Sequence, residues 1–107
     1  MIIGHSIWQI KKAGFSLRTK NEHVKQLFVI RHAKSSWDSL GQPDFERPLN
    51  ERGHRDAPVM AARLNKAGIR LDALVSSPAN RALTTAQYFS EAFDFKKKEI
   101  ITLDRLY

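Results

Sequence analysis

The chain has 107 residues, no cysteine and a formal net charge of +7, and 42% of its residues are hydrophobic and 27% charged. This composition is typical of one small globular domain and argues against a disordered or fibrous chain. The absence of cysteine excludes disulfides, a thiolate nucleophile and cysteine-based metal sites, and it fits a cytoplasmic location.

Residues 1–24 form a basic leader that differs in character from the rest of the chain. Its apolar residues precede its basic ones, which is the reverse of a secretory signal, and it is too short and polar to span a membrane. Two origins stay open: an amphipathic targeting peptide, or a mis-assigned start in which translation begins at Val24. N-terminal sequencing that found Met1 in the native protein would contradict the second.

The positive charge is denser in the first 26 residues than in the rest of the chain. Residues 1–26 contain five Lys or Arg and one Glu, so the remaining chain is only mildly basic. No basic stripe with interleaved aromatic residues is visible, which argues against a nucleic-acid partner.

The first predicted strand is the apolar run 27–30, of the kind that parallel sheets bury on both faces. Arg31 and His32 therefore stand at the carboxyl end of this strand. Residues 33–50, rich in Ser, Gly and Pro, predict a long loop without secondary structure, and such loops are usually functional or disordered.

A first helix is predicted to start near Asp56 as its N-cap, with Pro58 in the first turn, and to end at Gly68. Its apolar residues recur at i, i+3, i+4 and i+7, which gives one face that can pack on a sheet. These residues are Ala57, Met60, Ala61 and Leu64.

A second strand is predicted at 71–75, followed directly by a helix with Ser77 as N-cap and Pro78 as its first residue. Arg81 then falls in the first turn of this helix. The predicted buried face consists of Ala82, Ala86, Phe89 and Phe93. A lysine run at 96–98 is interpreted as a solvated turn before a third strand at 100–103.

Alternating strands and helices indicate an α/β sheet with crossover connections, in which ligands bind beyond the carboxyl ends of the strands. This order places Arg31, His32 and Arg81 at one edge. Transfer of a phosphoryl group without a metal ion needs clustered cations, ideally guanidinium groups, and a nucleophile such as a neutral imidazole. The three residues supply this set, although each also fits an ordinary surface position.

Three blocks of sequence make the interpretation more specific: 27–37 (LFVIRHAKSSW), 47–53 (RPLNERG) and 75–86 (VSSPANRALTTA). In order and spacing they resemble the motifs of the SixA-like phosphohistidine phosphatases, a branch of the histidine phosphatase superfamily that also includes phosphoglycerate mutases. The resemblance runs from about Lys25 to the end. It implies an N-terminal part of a three-layer α/β/α, phosphoglycerate mutase-like domain at 25–107, incomplete at the C-terminus.

The resemblance also implies roles for individual residues. In that family the histidine of the first block is transiently phosphorylated, which assigns the nucleophile to His32 and the phosphate-binding positions to Arg31 and Arg81. Arg47 has two open roles: contact with the substrate, or anchoring of the loop through Asp44 or Glu46. The implied partner is a phosphohistidine protein or a small phosphate ester, with no cofactor, no metal ion and no membrane involved.

Two family features have no counterpart in this sequence: a second histidine and an acidic proton donor late in the domain. His5, His23 and His54 do not match the second histidine. We therefore expect the chain to be an N-terminal piece with negligible activity alone. The alternative is a noncatalytic anion-binding or interaction remnant, which an extended reading frame without those two residues would favour.

Overall fold

A computed structural model of the chain describes residues 2–6, 25–38 and 40–107. Their helices and strands are β1 (Ile2–Ser6), β2 (Lys25–Val29), α1 (Glu51–Lys66), β3 (Ala73–Ser76), α2 (Asn80–Ala92) and β4 (Ile101–Thr102). Single 3-10 turns lie at Asp44–Glu46, Lys97–Glu99 and Asp104–Leu106. The α/β class predicted from the sequence is confirmed.

The four strands form one mixed sheet in the order β2-β1-β3-β4. Strand β1 is antiparallel to β2 and to β3, and β3 is parallel to β4. Strands β2 and β3 therefore run in the same direction, and their carboxyl ends share one edge. The sequence analysis expected strands joined only by crossover connections and did not predict β1, which lies within the segment that we interpreted as a leader. The rest of that leader, residue 1 and residues 7–24, lies outside the described residues.

Both helices pack on one face of the sheet, around Leu74 at the centre of the core. The buried cluster joins Leu74 to Ala61 of α1, to Ala86 and Phe89 of α2, and to Ile100. The predicted apolar stripes of the two helices are largely confirmed, because they provide most of these contacts. Met60 is the exception and is more than half exposed.

On the opposite face of the sheet, apolar side chains are exposed at the two edge strands. Leu27 and Val29, which alternate in β2 with partly buried residues, are 65% and 74% exposed, and Ile101 of β4 is 48% exposed. The described residues thus provide a sheet with one helical layer. The second helical layer of the three-layer architecture is not among them.

Helix α1 starts five residues before the predicted N-cap, so that prediction was wrong. Asn50 is the N-cap, and its side-chain oxygen accepts a 2.8 Å hydrogen bond from the amide of Gly53. Pro58 consequently lies inside the helix, where its lack of an N–H leaves the carbonyl of His54 without a helical partner. The predicted end is confirmed, since Gly68 follows the helix with a φ of +87°.

Helix α2 starts at Asn80 after Ala79, which corrects the prediction of Ser77 as N-cap. The hydroxyl of Ser77 instead accepts a 3.2 Å hydrogen bond from the amide of Ala79, so Ser77 and Pro78 form a turn ahead of the helix. Arg81 is nevertheless in the first turn, as predicted.

The loop 33–50 is more ordered than predicted. An isolated antiparallel bridge joins Ser35 to Leu49, and one 3-10 turn spans Asp44–Glu46. Nothing in the described part of the chain has the length and apolar character that a membrane-crossing helix requires.

Candidate active site

His32 follows β2 at the carboxyl edge of the sheet, and two contacts fix its ring. Its Nδ1 lies 2.7 Å from the carbonyl oxygen of Ala33, and its Nε2 lies 3.3 Å from Nε of Arg81. A carbonyl oxygen can only accept and a guanidinium N–H can only donate. Both contacts therefore select the neutral ring with its proton on Nδ1 and a lone pair on Nε2.

The surroundings of His32 also favour its neutral form. Burial is the largest influence and holds the pKa of His32 below its ordinary value of 6.5, and the nearby positive charges of Arg81, Arg31 and Arg47 act in the same direction. The hydrogen bond to Ala33 opposes these effects. At neutral pH the imidazole is thus uncharged, and its Nε2 lone pair accepts the hydrogen bond from Arg81.

Arg81 extends from the first turn of α2 and connects His32 to the loop. Besides the contact of Nε with His32, its two terminal nitrogens donate to Asp44: one to the backbone oxygen at 2.7 Å, the other to Oδ2 at 3.0 Å. The side chain is only 13% exposed. Every nitrogen of this guanidinium group therefore has an acceptor.

Asp44 holds two arginines with one carboxylate. Its Oδ1 accepts from Arg47 at 3.0 Å, while its Oδ2 accepts from Arg81 and, at 2.9 Å, from the hydroxyl of Tyr107. Hydrogen bonds from Arg47, Tyr107 and Arg81 lower the pKa of Asp44 to about 2. The hydrogen bond that Tyr107 donates to Asp44 raises the pKa of the Tyr107 hydroxyl. Asp44 is therefore a permanent anion at neutral pH.

Arg47 is a buried part of the loop, as one of its two predicted roles requires. It pairs with Asp44, donates to the hydroxyl of Ser35 and lies under the ring of Trp37, with 3.7 Å between its guanidinium carbon and the ring centroid. Its side chain is 11% exposed, and its buried Nε has no partner within the described residues. The contact with Asp44 that the loop-anchoring role expects is present, and contact of Arg47 with a substrate stays a prediction.

The start of the loop is fixed against α1. The amide of Asn50 donates to the carbonyl of Lys34 at 2.9 Å, and the amide of Ser36 donates to the carbonyl of Pro48 at 2.8 Å. Gly53 is in contact with the same carbonyl of Lys34, and a Cβ at this position would overlap with that oxygen. The glycine of the RPLNERG block thus allows the close approach of loop and helix.

A cavity of about 660 Å³ lies beside His32, between the loop and the helices. Its lining combines cationic residues at the loop with apolar residues of α1 and α2; among them are Arg31, Lys34, Arg47, Arg52, Met60 and Phe89. Arg31 has no hydrogen bond or ion pair with the part of the chain that the structure describes. Its guanidinium group is therefore available to an incoming anion, as is the exposed ammonium group of Lys34 in the same cavity.

The structure brings together His32 and Arg81 by direct contact, Arg47 through Asp44, and Arg31 through the shared cavity. Sequence reasoning did not identify Tyr107 or Thr85. The hydroxyl of Thr85 contacts the amide of Ala33, next to His32. No local signal marks Tyr107, whereas the position of Thr85 one helical turn after Arg81 could have indicated a shared face.

Comparison with known proteins identifies the family of this chain. The sequence profile that describes the histidine phosphatase superfamily (branch 1) matches residues 27–107. An uncharacterized chloroplastic protein of Arabidopsis thaliana is 36% identical over 70 residues, which are 65% of this chain and 32% of that protein. The mitochondrial serine/threonine-protein phosphatase Pgam5 of Drosophila melanogaster is 27% identical over 84 residues, or 78% of this chain and 28% of Pgam5.

Two solved structures share the fold. The SixA structure from Agrobacterium tumefaciens is 36% identical with a TM-score of 0.66, over 73% of this chain and 49% of that chain. A SixA structure in complex with tungstate matches with a TM-score of 0.63 at 23% identity, over 72% of this chain and 47% of that one. The chain thus spans about half the length of the solved SixA chains and about a third of the curated relatives.

Proposed function

The chain belongs to the histidine phosphatase superfamily (branch 1), and we propose that it accepts a phosphoryl group from phosphohistidine on a protein, first onto Nε2 of His32 and then onto water. The superfamily is named for its histidine phosphatases, and the Agrobacterium tumefaciens protein that is 36% identical bears the name phosphohistidine phosphatase SixA. Because the chain spans only part of the length of its relatives, the activity, the substrate and the partners of the whole protein are all part of this proposal.

The observation that carries the proposal is the tautomer of His32. The Nδ1 proton is committed to the carbonyl of Ala33, and Nε2 keeps its lone pair within 3.3 Å of a guanidinium N–H of Arg81. A nucleophile and a phosphate-binding cation are thus already adjacent. An ordinary surface histidine does not require protein contacts at both of its ring nitrogens.

In the first step Nε2 of His32 attacks phosphorus, and the bond between phosphorus and the nitrogen of the substrate imidazole breaks. The electron pair of that bond leaves with the substrate imidazole, which is protonated on its other nitrogen and so leaves as a neutral ring. The new positive charge on His32 is stabilised by its hydrogen bond to the carbonyl of Ala33. Arg31 and Arg81 bind the phosphoryl oxygens, whose charge spreads in the transition state.

In the second step water attacks phosphorus and the bond to Nε2 breaks. The electron pair returns to Nε2, which restores the neutral ring with its proton on Nδ1, and the proton released by water leaves with inorganic phosphate or solvent. The family resemblance assigns a second histidine to the phosphate pocket. Because no such residue was identified in this sequence, we expect transfer to His32 to outpace hydrolysis.

The charge of Asp44 favours phosphohistidine over a phosphate ester as substrate. An alkoxide leaving group needs a proton donor, whereas imidazole leaves readily without one. Asp44 is the carboxylate in contact with Arg81, and with a pKa of about 2 it has no proton to donate at neutral pH. The site therefore supports substrates whose leaving group carries its own proton.

We also propose that the reaction needs no metal ion. Guanidinium groups and a nucleophilic imidazole supply the charge and the covalent chemistry that a metal would otherwise provide. Transfer to His32 should accordingly be unchanged by chelators such as EDTA.

The test is single-turnover phosphorylation of the purified 107-residue chain by a phosphohistidine peptide, followed by intact mass and fragment-ion mapping. We expect one phosphoryl group on His32, none in His32→Asn, and normal incorporation in His54→Asn, whose ring contacts Tyr88 at the surface. Incorporation without release of inorganic phosphate would agree with the negligible turnover expected of this piece alone. Absence of incorporation in the folded wild-type chain would contradict His32 as the phosphoryl acceptor and favour the anion-binding remnant. Phosphoserine and phosphothreonine peptides and a small phosphate ester complete the panel, because Pgam5 is named for serine and threonine.

A further inference from the structure

Thr85 lies one turn after Arg81 in α2 and is 2% exposed. Its hydroxyl donates to the carbonyl of Arg81 at 2.8 Å, the usual i to i−4 contact of a helical threonine. The same oxygen accepts a 3.1 Å hydrogen bond from the amide of Ala33, which is 52 residues away in sequence. One buried hydroxyl thus joins the two segments that carry His32 and Arg81.

These bonds form a continuous series that ends at the imidazole. The amide of Ala33 is held by Thr85, and the carbonyl of the same residue is held by Nδ1 of His32 at 2.7 Å. Because Ala33 has one contact at each of its backbone polar groups, its orientation relative to α2 depends on Thr85. The direction in which the His32 ring points depends in turn on the carbonyl of Ala33.

We propose that Thr85 is a positioning residue for the proposed reaction: its hydroxyl fixes Ala33 so that His32 keeps its proton on Nδ1 and aims Nε2 at Arg81. The inference rests on the proposed function of His32 and adds a residue that does not itself touch the phosphoryl group. The hydroxyl has one proton, which the carbonyl of Arg81 takes, so the oxygen is left as an acceptor for an N–H group. Only such an acceptor suits the amide of Ala33.

Replacement of Thr85 by valine isolates the hydroxyl. Valine has nearly the same shape, so the core is not emptied, but the amide of Ala33 loses its acceptor and the end of β2 loses its tie to α2. The carbonyl of Ala33 is then free to turn away from Nδ1. We expect the ring to populate both neutral tautomers and the contact between Nε2 and Arg81 to weaken.

The experiment measures the tautomer of His32 by ¹⁵N NMR of the imidazole and, separately, the single-turnover rate of phosphorylation by the phosphohistidine peptide. In Thr85→Val we expect mixed tautomers and a rate at least tenfold lower at saturating peptide. Thr85→Ser, which keeps the hydroxyl, should retain the wild-type tautomer and most of the rate. The matched control is Thr84→Val, whose hydroxyl bonds to Asn80 on the outer side of the same helix.

Two results would overturn the inference: a wild-type tautomer and rate in Thr85→Val, or the same loss in Thr84→Val, which would show a general effect on α2. If Thr85→Val does not fold, Thr85→Ser and Thr85→Ala provide the test. The inference requires that His32 keeps its wild-type tautomer in Thr85→Ser and loses it in Thr85→Ala. The NMR result does not depend on catalysis. A tautomer change in a chain that never accepts phosphate would sustain the role of Thr85 and reject the proposed function.

Discussion

Nε of Arg81 lies 3.3 Å from Nε2 of His32, on the side of the ring opposite the nitrogen that contacts Ala33. The guanidinium charge disfavours protonation of that ring, although burial is the larger influence on it. The pair therefore links the neutral form of the histidine to the cation that we propose binds phosphate.

Arg81→Gln should raise the pKa of His32, because a repelling positive charge is removed. The pKa should stay below 6.5, since burial remains. Transfer to His32 should fall about 10²- to 10³-fold, the usual effect of removing one charge-stabilising donor. An NMR titration of the ring measures the pKa, and Arg105→Gln, an exposed residue of the last 3-10 turn, controls for the change in net charge. A lower pKa in Arg81→Gln would contradict the arrangement.

The rate of His32 phosphorylation should depend on pH with an acidic limb below 6.5. The folded-state pKa of His32 is depressed, so the neutral nucleophile persists to a lower pH than in a free histidine. A rate profile between pH 4 and 8 under single-turnover conditions measures this limb. A midpoint above 6.5 would show that the imidazole is stabilised in its charged form.

The same depression affects stability. An unfolded histidine binds a proton near pH 6.5 and the folded one binds it only at lower pH, so acidification favours the unfolded chain. The contribution of His32 is full above pH 6.5 and is lost as pH falls toward the folded-state pKa. Urea titrations should therefore show that the wild type loses stability relative to His32→Asn across this window. No divergence between the two would refute the linkage.

Asp44→Asn should tighten the binding of an oxyanion. Asp44 is the anion that Arg47 and Arg81 bind, and a phosphate-like ligand has to compete with its charge. Removing that charge should raise the affinity for tungstate about fivefold, the upper range for an exposed ion pair. Calorimetry measures the change, with the exposed Asp38→Asn as control. Weaker binding would instead mean that Asp44 serves to orient the two arginines.

Gly53→Ala should destabilise the fold although alanine favours helices. The added Cβ would overlap with the carbonyl oxygen of Lys34 and lie 3.2 Å from the Cβ of Leu49. Because the overlapping atom belongs to the backbone of Lys34, the loop has to move. We expect the free energy of unfolding to fall by about 2 kcal/mol, since overpacking typically costs more than the gain in helix propensity. Chemical denaturation measures it, and the exposed Arg55→Ala in the same helix is the control. Unchanged stability would show that the loop adapts without cost.

Local patterns in the sequence identified most of the elements correctly but not their limits. The apolar runs and the 3.6-residue stripes depend only on nearby residues, so the strands near 27–30, 71–75 and 100–103 and both helices were predicted. The predicted starts of both helices were wrong because a proline is tolerated at several positions in and around the first turns of a helix. The side chains of Asn50 and Ser77 decided where the backbone amides found partners.

The candidate residues Arg31, His32, Arg47 and Arg81 came from motifs, and their roles in catalysis stay predictions. The motifs could not predict the tautomer or the pKa of His32. The tautomer depends on Ala33 and Arg81, and the depression of the pKa depends on burial, which no local pattern encodes.

The sequence by itself determined the α/β class, the strand that precedes His32, the helix that begins near Arg81 and the family motifs, because these follow from residue type and spacing along the chain. Only the tertiary structure decided that Asp44 joins two arginines, that Thr85 reaches Ala33 across 52 residues, and that β1 separates β2 from β3. These contacts depend on how segments distant in sequence pack, and a hydrogen bond forms only where packing brings a donor within about 3 Å of an acceptor.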